Sequence, residues 1–342
     1  MGKSWSQSAW IPNPPITEKN IVDQSGKYRE LTMGQVFIVT GGNAGVGLQL
    51  AKILYSANAR IYLAGRSERR VTEAIEHICC AFPDSKGNLS WLPLDLADLR
   101  SIKRAAEQFL NQEKRLDVLW NNAGVMFPSG AIKSQQVSPF GHDIQMSTNV
   151  LGPYLLTSLL YQILKQTAET APLNSVRVCW ASSLLSELSP QGGVDMDDSG
   201  SPILSNTRYT NYFVSKAANN LIAFEFGKRC KSANVLSVAF NPGNLNTELT
   251  RHLMVPYLES VERLLQGLVL WPPRYGAYTE LYAGLSPDLT IEQHSGAYIW
   301  PWGRIGHLRP DIEDSLRSKI QGGSEKAAKL WAWCDQETVN FT

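Results

Sequence analysis

What this chain has little of narrows its class first. No apolar run approaches the roughly 20 residues that a membrane-spanning helix needs, although 43% of its 342 residues are hydrophobic. The cysteines number five, namely Cys79, Cys80, Cys179, Cys230 and Cys334. The count is odd, two are adjacent, and no Cys-x-x-Cys occurs. Such a set reads as reduced thiols in a cytoplasmic protein, not as a disulfide framework or a zinc site, and no metal site is expected. Surplus charge is missing too: 32 basic against 31 acidic residues leave a net charge of +1, with a pI near 7.6. That argues against a nucleic-acid footprint and against a strong pull toward an anionic membrane. Residues 1–15 hold no apolar core of the kind that marks a secretory signal.

What is present alternates. Residues 1–35 are polar, contain proline and show no periodicity, and read as an arm lying over the domain. From Val36, short β-rich runs and amphipathic helical stretches take turns. The expected strands are Val36–Thr40, Arg60–Ala64, Leu89–Leu94, Leu116–Trp120, Val176–Ala181, Val235–Phe240 and Gly296–Trp300. The expected helices run over 46–57, 68–82, 98–112 with Asp98 as N-cap, 140–167 and 209–231. Strands separated by crossover helices must lie parallel, with helices on both faces. The fold class is therefore α/β: one Rossmann-type doubly wound parallel sheet of about seven strands, with its ligand crevice at the carboxyl ends of the strands. The main domain is expected over 36–310, with a substrate lid at 248–273 and a helical tail at 311–342.

The first strand leads into Thr40-Gly41-Gly42-Asn43-Ala44-Gly45-Val46-Gly47. Glycines between a strand and a helix permit a tight turn and a close approach of backbone to a pyrophosphate, which the helix N-terminus then attracts. Gly41, Gly45, Val46 and Gly47 are the candidates. The second strand ends in Arg66, where an NAD site usually carries an acid for the ribose hydroxyls. An arginine suits the 2′-phosphate of NADP instead, so NADP(H) is expected over NAD(H). Asp95, followed by Leu96, can accept from an adenine amino group or belong to a helix cap. Asn122, Ala123 and Gly124 end the fourth strand with residues small enough for a cofactor to pass.

Tyr212 and Lys216 stand four apart on a helix and so share a face. A tyrosine near pKa 10 is a poor base at neutral pH. A neighbouring ammonium, helped by an oxidised nicotinamide, favours the phenolate and lets the phenol exchange protons with an alcohol or ketone. Lys216 can also hold the nicotinamide ribose. Ser183 can hydrogen-bond the reacting oxygen, and Asn149 can hold a water that links Lys216 to solvent.

With TGxxxGxG at 40–47, Asn121–Gly124, Asn149, Ser182-Ser183, YxxxK at 212–216 and Asn241-Pro242-Gly243 with Thr247 in this order, the chain resembles the short-chain dehydrogenases/reductases over about 34–305. Tyr212–Leu221 and the long gap from Ser183 to Tyr212 resemble the retinol-dehydrogenase-like branch. Trp300-Pro301-Trp302-Gly303-Arg304 is similar to fungal members of secondary metabolism. The resemblance implies a catalytic tetrad of Ser183, Tyr212, Lys216 and Asn149, and contacts of Pro242, Gly243, Leu245 and Thr247 with the nicotinamide end. It implies a homodimer or homotetramer through the helices around Asn149 and Tyr212, unless the long gap or the aromatic tail blocks that face. Two departures stand out. Tyr28–Gln35 separates Gly26-Lys27 from the first strand, where relatives run on directly. Ala44 stands where NADP-dependent relatives often carry a basic residue, which leaves more of the recognition to Arg66.

Met126, Phe127, Phe140, Leu253, Met254, Tyr257 and Trp271 are candidates for an apolar wall suited to a lipophilic ketone or secondary alcohol. The expected function is NADP(H)-dependent hydride transfer on such a small molecule, a secondary metabolite by the resemblance, with no nucleic-acid partner and no transmembrane segment. The alternatives are a cofactor-binding enzyme of non-redox isomerisation or cyclisation, and a non-catalytic nucleotide sensor.

Overall fold

The computed structural model describes Gln7 and residues 11–25, 34–126, 137–246 and 270–342. Residues 28–33 of the inserted segment, Phe127, Thr247, and 248–269 of the expected lid, with Leu253, Met254 and Tyr257, lie outside the described residues.

The backbone follows the period of the sequence. In order come β1 (Val36–Thr40), α1 (Gly45–Ser56), β2 (Arg60–Gly65), α2 (Glu68–Ala81), β3 (Asn88–Pro93), α3 (Leu99–Gln112) and β4 (Val118–Asn121). A π turn, Ser147–Leu151, leads into α4 (Gly152–Thr170), followed by β5 (Arg177–Ala181), α5 (Arg208–Cys230) and β6 (Leu236–Phe240). The chain ends with α6 (Pro273–Leu285), β7 (Ala297–Trp300), β8 (Arg304–Gly306), α7 (Pro310–Leu316) and α8 (Lys326–Thr338). The strands form one sheet in the order β3-β2-β1-β4-β5-β6-β7-β8. Every neighbouring pair is parallel except β7 with β8.

The sheet has eight strands, one more than the seven expected. Arg304–Gly306 is too short for its period to be read, and it pairs only because Gly303, at φ +101°, turns the chain back. Strand β1 is apolar from Val36 to Val39 because it is covered on both faces. Val36 and Ile38 face a layer of α3, α4, α5 and α8. Phe37 and Val39 face α1, α2 and α6. The strand order reverses between β1 and β4, and the crevice of an open α/β sheet forms at that point.

Helix α6 escapes the sequence pattern because Gly276 to Gly284 are buried all round, leaving no polar stripe. A Cβ on Gly276 would collide with Leu245 and one on Gly284 with Trp120, so both glycines are needed for close packing. The tail folds onto the domain. Trp331 of α8 stacks on Phe226 of α5, meets Tyr154 of α4 edge-on at 4.7 Å and lies under the Arg229 guanidinium. Phe140, expected in the substrate wall, packs edge-on against Phe341 instead.

Glu280 of α6 is fully buried beside Cys179. Neither carboxyl oxygen has a hydrogen-bond partner among the described residues. Burial raises its pKa well above the usual carboxyl value, so the folded protein holds a proton that the unfolded chain releases near pH 4. The native state then binds more protons, and stability falls as pH rises from there toward the folded pKa. Urea unfolding at pH 5 and pH 8 is expected to show this loss in the wild type, and Glu280→Gln is expected to remove it. An equal pH slope in both proteins would refute the assignment.

Candidate functional site

The turn after β1 is held against the end of β4. Thr40 Oγ1 accepts the Ala123 amide at 2.9 Å, and Asn122 Nδ2 donates to the Thr40 carbonyl at 2.8 Å. Gly41 (φ +67°) and Gly45 (φ +54°) make the turn. Gly47 is required by space, since a Cβ there would stand 2.6 Å from Asn122 Nδ2 and 2.7 Å from the Gly41 carbonyl oxygen. No side chain caps the start of α1, so its first amides face the crevice as bare donors. Val46 abuts α6 at Gly276.

Arg66 is exposed at the end of β2. Its neighbour Arg69 pairs with Glu73 at 2.7 Å. Asp95 Oδ1 accepts the Ala97 amide at 3.0 Å, and Ser101 Oγ accepts the Asp95 amide, so this carboxylate shapes the turn before α3. Asp98 caps that helix. The Leu96 side chain is buried in the core.

Four of the candidate side chains, Ser183, Tyr212, Lys216 and Asn149, meet near the carboxyl ends of β4 and β5. Tyr212 is 2% exposed and packs with Met126, Leu185 and Phe213. The Ser183 hydroxyl hydrogen-bonds its phenol, and Ser183 also caps the helical turn Leu184–Leu188. Lys216 Nζ lies 5.7 Å from the Tyr212 ring centroid and donates to the Ala181 carbonyl at 2.9 Å. Gly124 fills the space between, because a Cβ on it would stand 3.2 Å from both Lys216 Nζ and Asn149 Oδ1.

Burial moves the two titrating groups in opposite directions. It lowers Lys216 to about 8 and raises Tyr212. The sequence reading expected the ammonium to draw the phenol down. Desolvation dominates instead, and the Ser183 hydrogen bond is what lowers the phenol.

Asn149 is fully buried in the π turn, a local geometry frequent at functional sites. Its Oδ1 accepts the Val125 amide at 2.8 Å. Its Nδ2 donates to the Val125 carbonyl and to Ser215 Oγ, each at 3.0 Å. The side chain therefore braces the loop after β4 against α5.

After β6, Gly243 (φ +94°) donates to Asn241 Oδ1 at 2.9 Å, following Pro242. A Cβ on Gly243 would stand 2.5 Å from the Trp302 ring. Leu245 is buried and bridges to Trp271. Trp271, Tyr275 and Trp302 pack with centroids 4.8–5.5 Å apart.

Two residues that the sequence reading missed also reach the site. The Tyr298 hydroxyl donates to the Ser183 carbonyl at 3.0 Å. Asn219 Nδ2 donates at 2.8 Å to the same Ala181 carbonyl that Lys216 uses. Asn219 lies three residues after Lys216 on α5, which was a legible signal. Tyr298 carried none.

Residues 35–172 match the family model described as short chain dehydrogenase. The chain is 43% identical over 341 residues to a short-chain dehydrogenase/reductase of Phomopsis amygdali, covering 99% of this chain and 97% of the relative. It is 39% identical over 344 residues to the short-chain dehydrogenase/reductase bet4 of Neocamarosporium betae, covering 98% and 93%. Among solved structures it is similar to the Pseudomonas aeruginosa RhlG/NADP active-site complex, with a TM-score of 0.57 and 23% identity over 75% of this chain and 93% of that one. It is also similar to an NADPH bound carbonyl reductase from chicken fatty liver, with a TM-score of 0.58 and 21% identity over 80% and 99%. These two share the fold. The full-length sequence relatives establish kinship, and the chain belongs to the short-chain dehydrogenase/reductase family of oxidoreductases.

Proposed function

We propose that the protein is an NADP(H)-dependent oxidoreductase acting on a ketone or secondary alcohol of a lipophilic small molecule, with Tyr212 as the acid/base. The observation that carries this reading is the buried Tyr212 phenol, hydrogen-bonded to Ser183 with the Lys216 ammonium beside it. A role in secondary metabolism is the finer form of the proposal. It is supported by Trp300–Arg304, which is similar to fungal members of secondary metabolism.

The crevice fits a dinucleotide. The Gly47 cradle leaves room that a Cβ would fill. Gly41, Gly45, Val46 and Gly47 would hold the pyrophosphate, and Asp95 and Leu96 would border the adenine. Asn122, Ala123 and Gly124 would pass beneath the ribose, and Pro242, Gly243 and Leu245 would bound the nicotinamide end. Thr247 belongs to the same proposed set. Arg66 makes no hydrogen bond or ion pair among the described residues, which leaves its guanidinium available to a 2′-phosphate. When bound, the nicotinamide supplies or accepts the hydride.

The chain's own residues handle the proton. Burial keeps the Tyr212 phenol protonated, the form that donates to a carbonyl oxygen in reduction. Ser183 Oγ would donate to the same oxygen, with its backbone held by Tyr298. Lys216, fixed by the Ala181 carbonyl, would offset the charge left on Tyr212 Oη after donation. Met126, Leu185 and Phe213 keep water away from the phenol and supply the apolar surface that favours a lipophilic substrate.

Energy transfer from the ten tryptophans to NADPH measures binding. Tyr212→Phe should leave that affinity within about twofold while lowering turnover about 100-fold or more; retained turnover would remove Tyr212 from the proton path. Arg66→Ala should weaken NADPH by about 10- to 100-fold, the worth of charge-assisted hydrogen bonds, and leave NADH unchanged. Equal losses for both nucleotides would refute the 2′-phosphate role. Gly47→Ala should weaken both by about tenfold or more through overpacking, an outcome that undiminished binding would contradict.

A further inference from the structure

One residue of the N-terminal arm reaches the loops around the site. Gln7 is 1% exposed. Its Nε2 donates to Glu187 Oε1 at 3.3 Å, its Oε1 accepts from Asn241 Nδ2 at 3.1 Å, and its backbone carbonyl accepts from Arg304 Nη2 at 3.2 Å. Each partner sits on a different segment. Glu187 lies on the turn Leu184–Leu188 that Ser183 caps. Asn241 opens the loop after β6, where its Oδ1 also accepts the Gly243 amide. Arg304 begins β8.

The parallel pairing of β5 with β6 ends at Ala181 and Phe240, and beyond the backbone bonds of Ser182 and Asn241 side chains tie the two loops. Arg309 donates to the Glu187 and Ser189 carbonyls from the other side. The Gln7 amide spans the remaining gap, with its donor on one loop and its acceptor on the other.

We propose that Gln7 is a positioning residue of the active site: its amide holds the Ser183 loop and the Asn241–Gly243 loop in register, so that the arm is part of the site's frame. The proposal rests on the reading of Ser183, Tyr212 and Gly243 given above. A side chain that joins two loops with opposite hydrogen-bond polarity allows a sharp test. Q7E sets a carboxylate against that of Glu187 and keeps the acceptor for Asn241. E187Q alone keeps an acceptor for Gln7. The double variant Q7E/E187Q restores the hydrogen bond with donor and acceptor exchanged, because the new amide at 187 donates to the new carboxylate at 7.

The full chain and its three variants would be compared by hydrogen–deuterium exchange over 183–190 and 241–246, and by the rate of NADPH oxidation with an aryl ketone. Q7E should speed exchange in both segments and lower kcat/KM about tenfold. E187Q should stay within about threefold of wild type on both readouts, and the double variant should return to that level. Faster exchange confined to 11–25 would show an anchor for the arm alone and overturn the proposal, as would a double variant no better than Q7E. If the wild type oxidises no NADPH, the oxidoreductase reading fails on its own, while the exchange data still decide the role of Gln7.

Discussion

The structure depends on the close seating of the first strand-to-helix turn against the end of β4. Because the sheet order reverses between these two strands, their carboxyl ends splay and leave a crevice. Thr40, Asn122 and Ala123 close its floor with two hydrogen bonds. Gly47 is the point where no additional carbon fits. Everything the site does is arranged along that line: bare amides of α1 on one side, the Tyr212 face of α5 on the other.

Burial does the chemical tuning. Water is excluded around Tyr212 and Lys216, so each is pushed toward its neutral form. The phenol is thereby held protonated, and the neighbouring lysine is lowered to about 8. The backbone carbonyls of Ala181 and Ser183 are the fixed points of this arrangement. Each is held in turn by a residue outside the motif, Asn219 and Tyr298 respectively. Asn149 stiffens the loop after β4 from within a π turn, while Lys216 is tied to the end of β5.

Legibility followed the range of each interaction. Gly41, Gly45 and Gly47 could be read because a turn and the helix after it are local, and Tyr212 with Lys216 because four residues make one turn of helix. The Asp98 cap was readable for the same reason. Helix α6 was not, since burial on every side erases the polar stripe that marks a helix. Strand β8 was too short to carry a period. Phe140 had the chemistry of a substrate wall but found Phe341, just over two hundred residues later in the chain. Asn149 was singled out by its place in the sequence, while its partners, Val125 and Ser215, emerged only from packing.

The sequence by itself determined the alternating α/β order, the parallel sheet and the location of the glycine turn and Tyr212–Lys216 face. Each of these follows from backbone period and steric freedom within a few residues. Only the tertiary structure decided which distant groups share a carbonyl or a cavity: Tyr298 beneath Ser183, α8 across α4 and α5, and Gln7 between the loops after β5 and β6. Such contacts join residues up to 234 positions apart, and they form because strands and helices have already brought the surfaces together. Desolvation, which sets the protonation of Tyr212, Lys216 and Glu280, belongs to the same class, since it depends on everything packed around a side chain and on nothing in its immediate sequence.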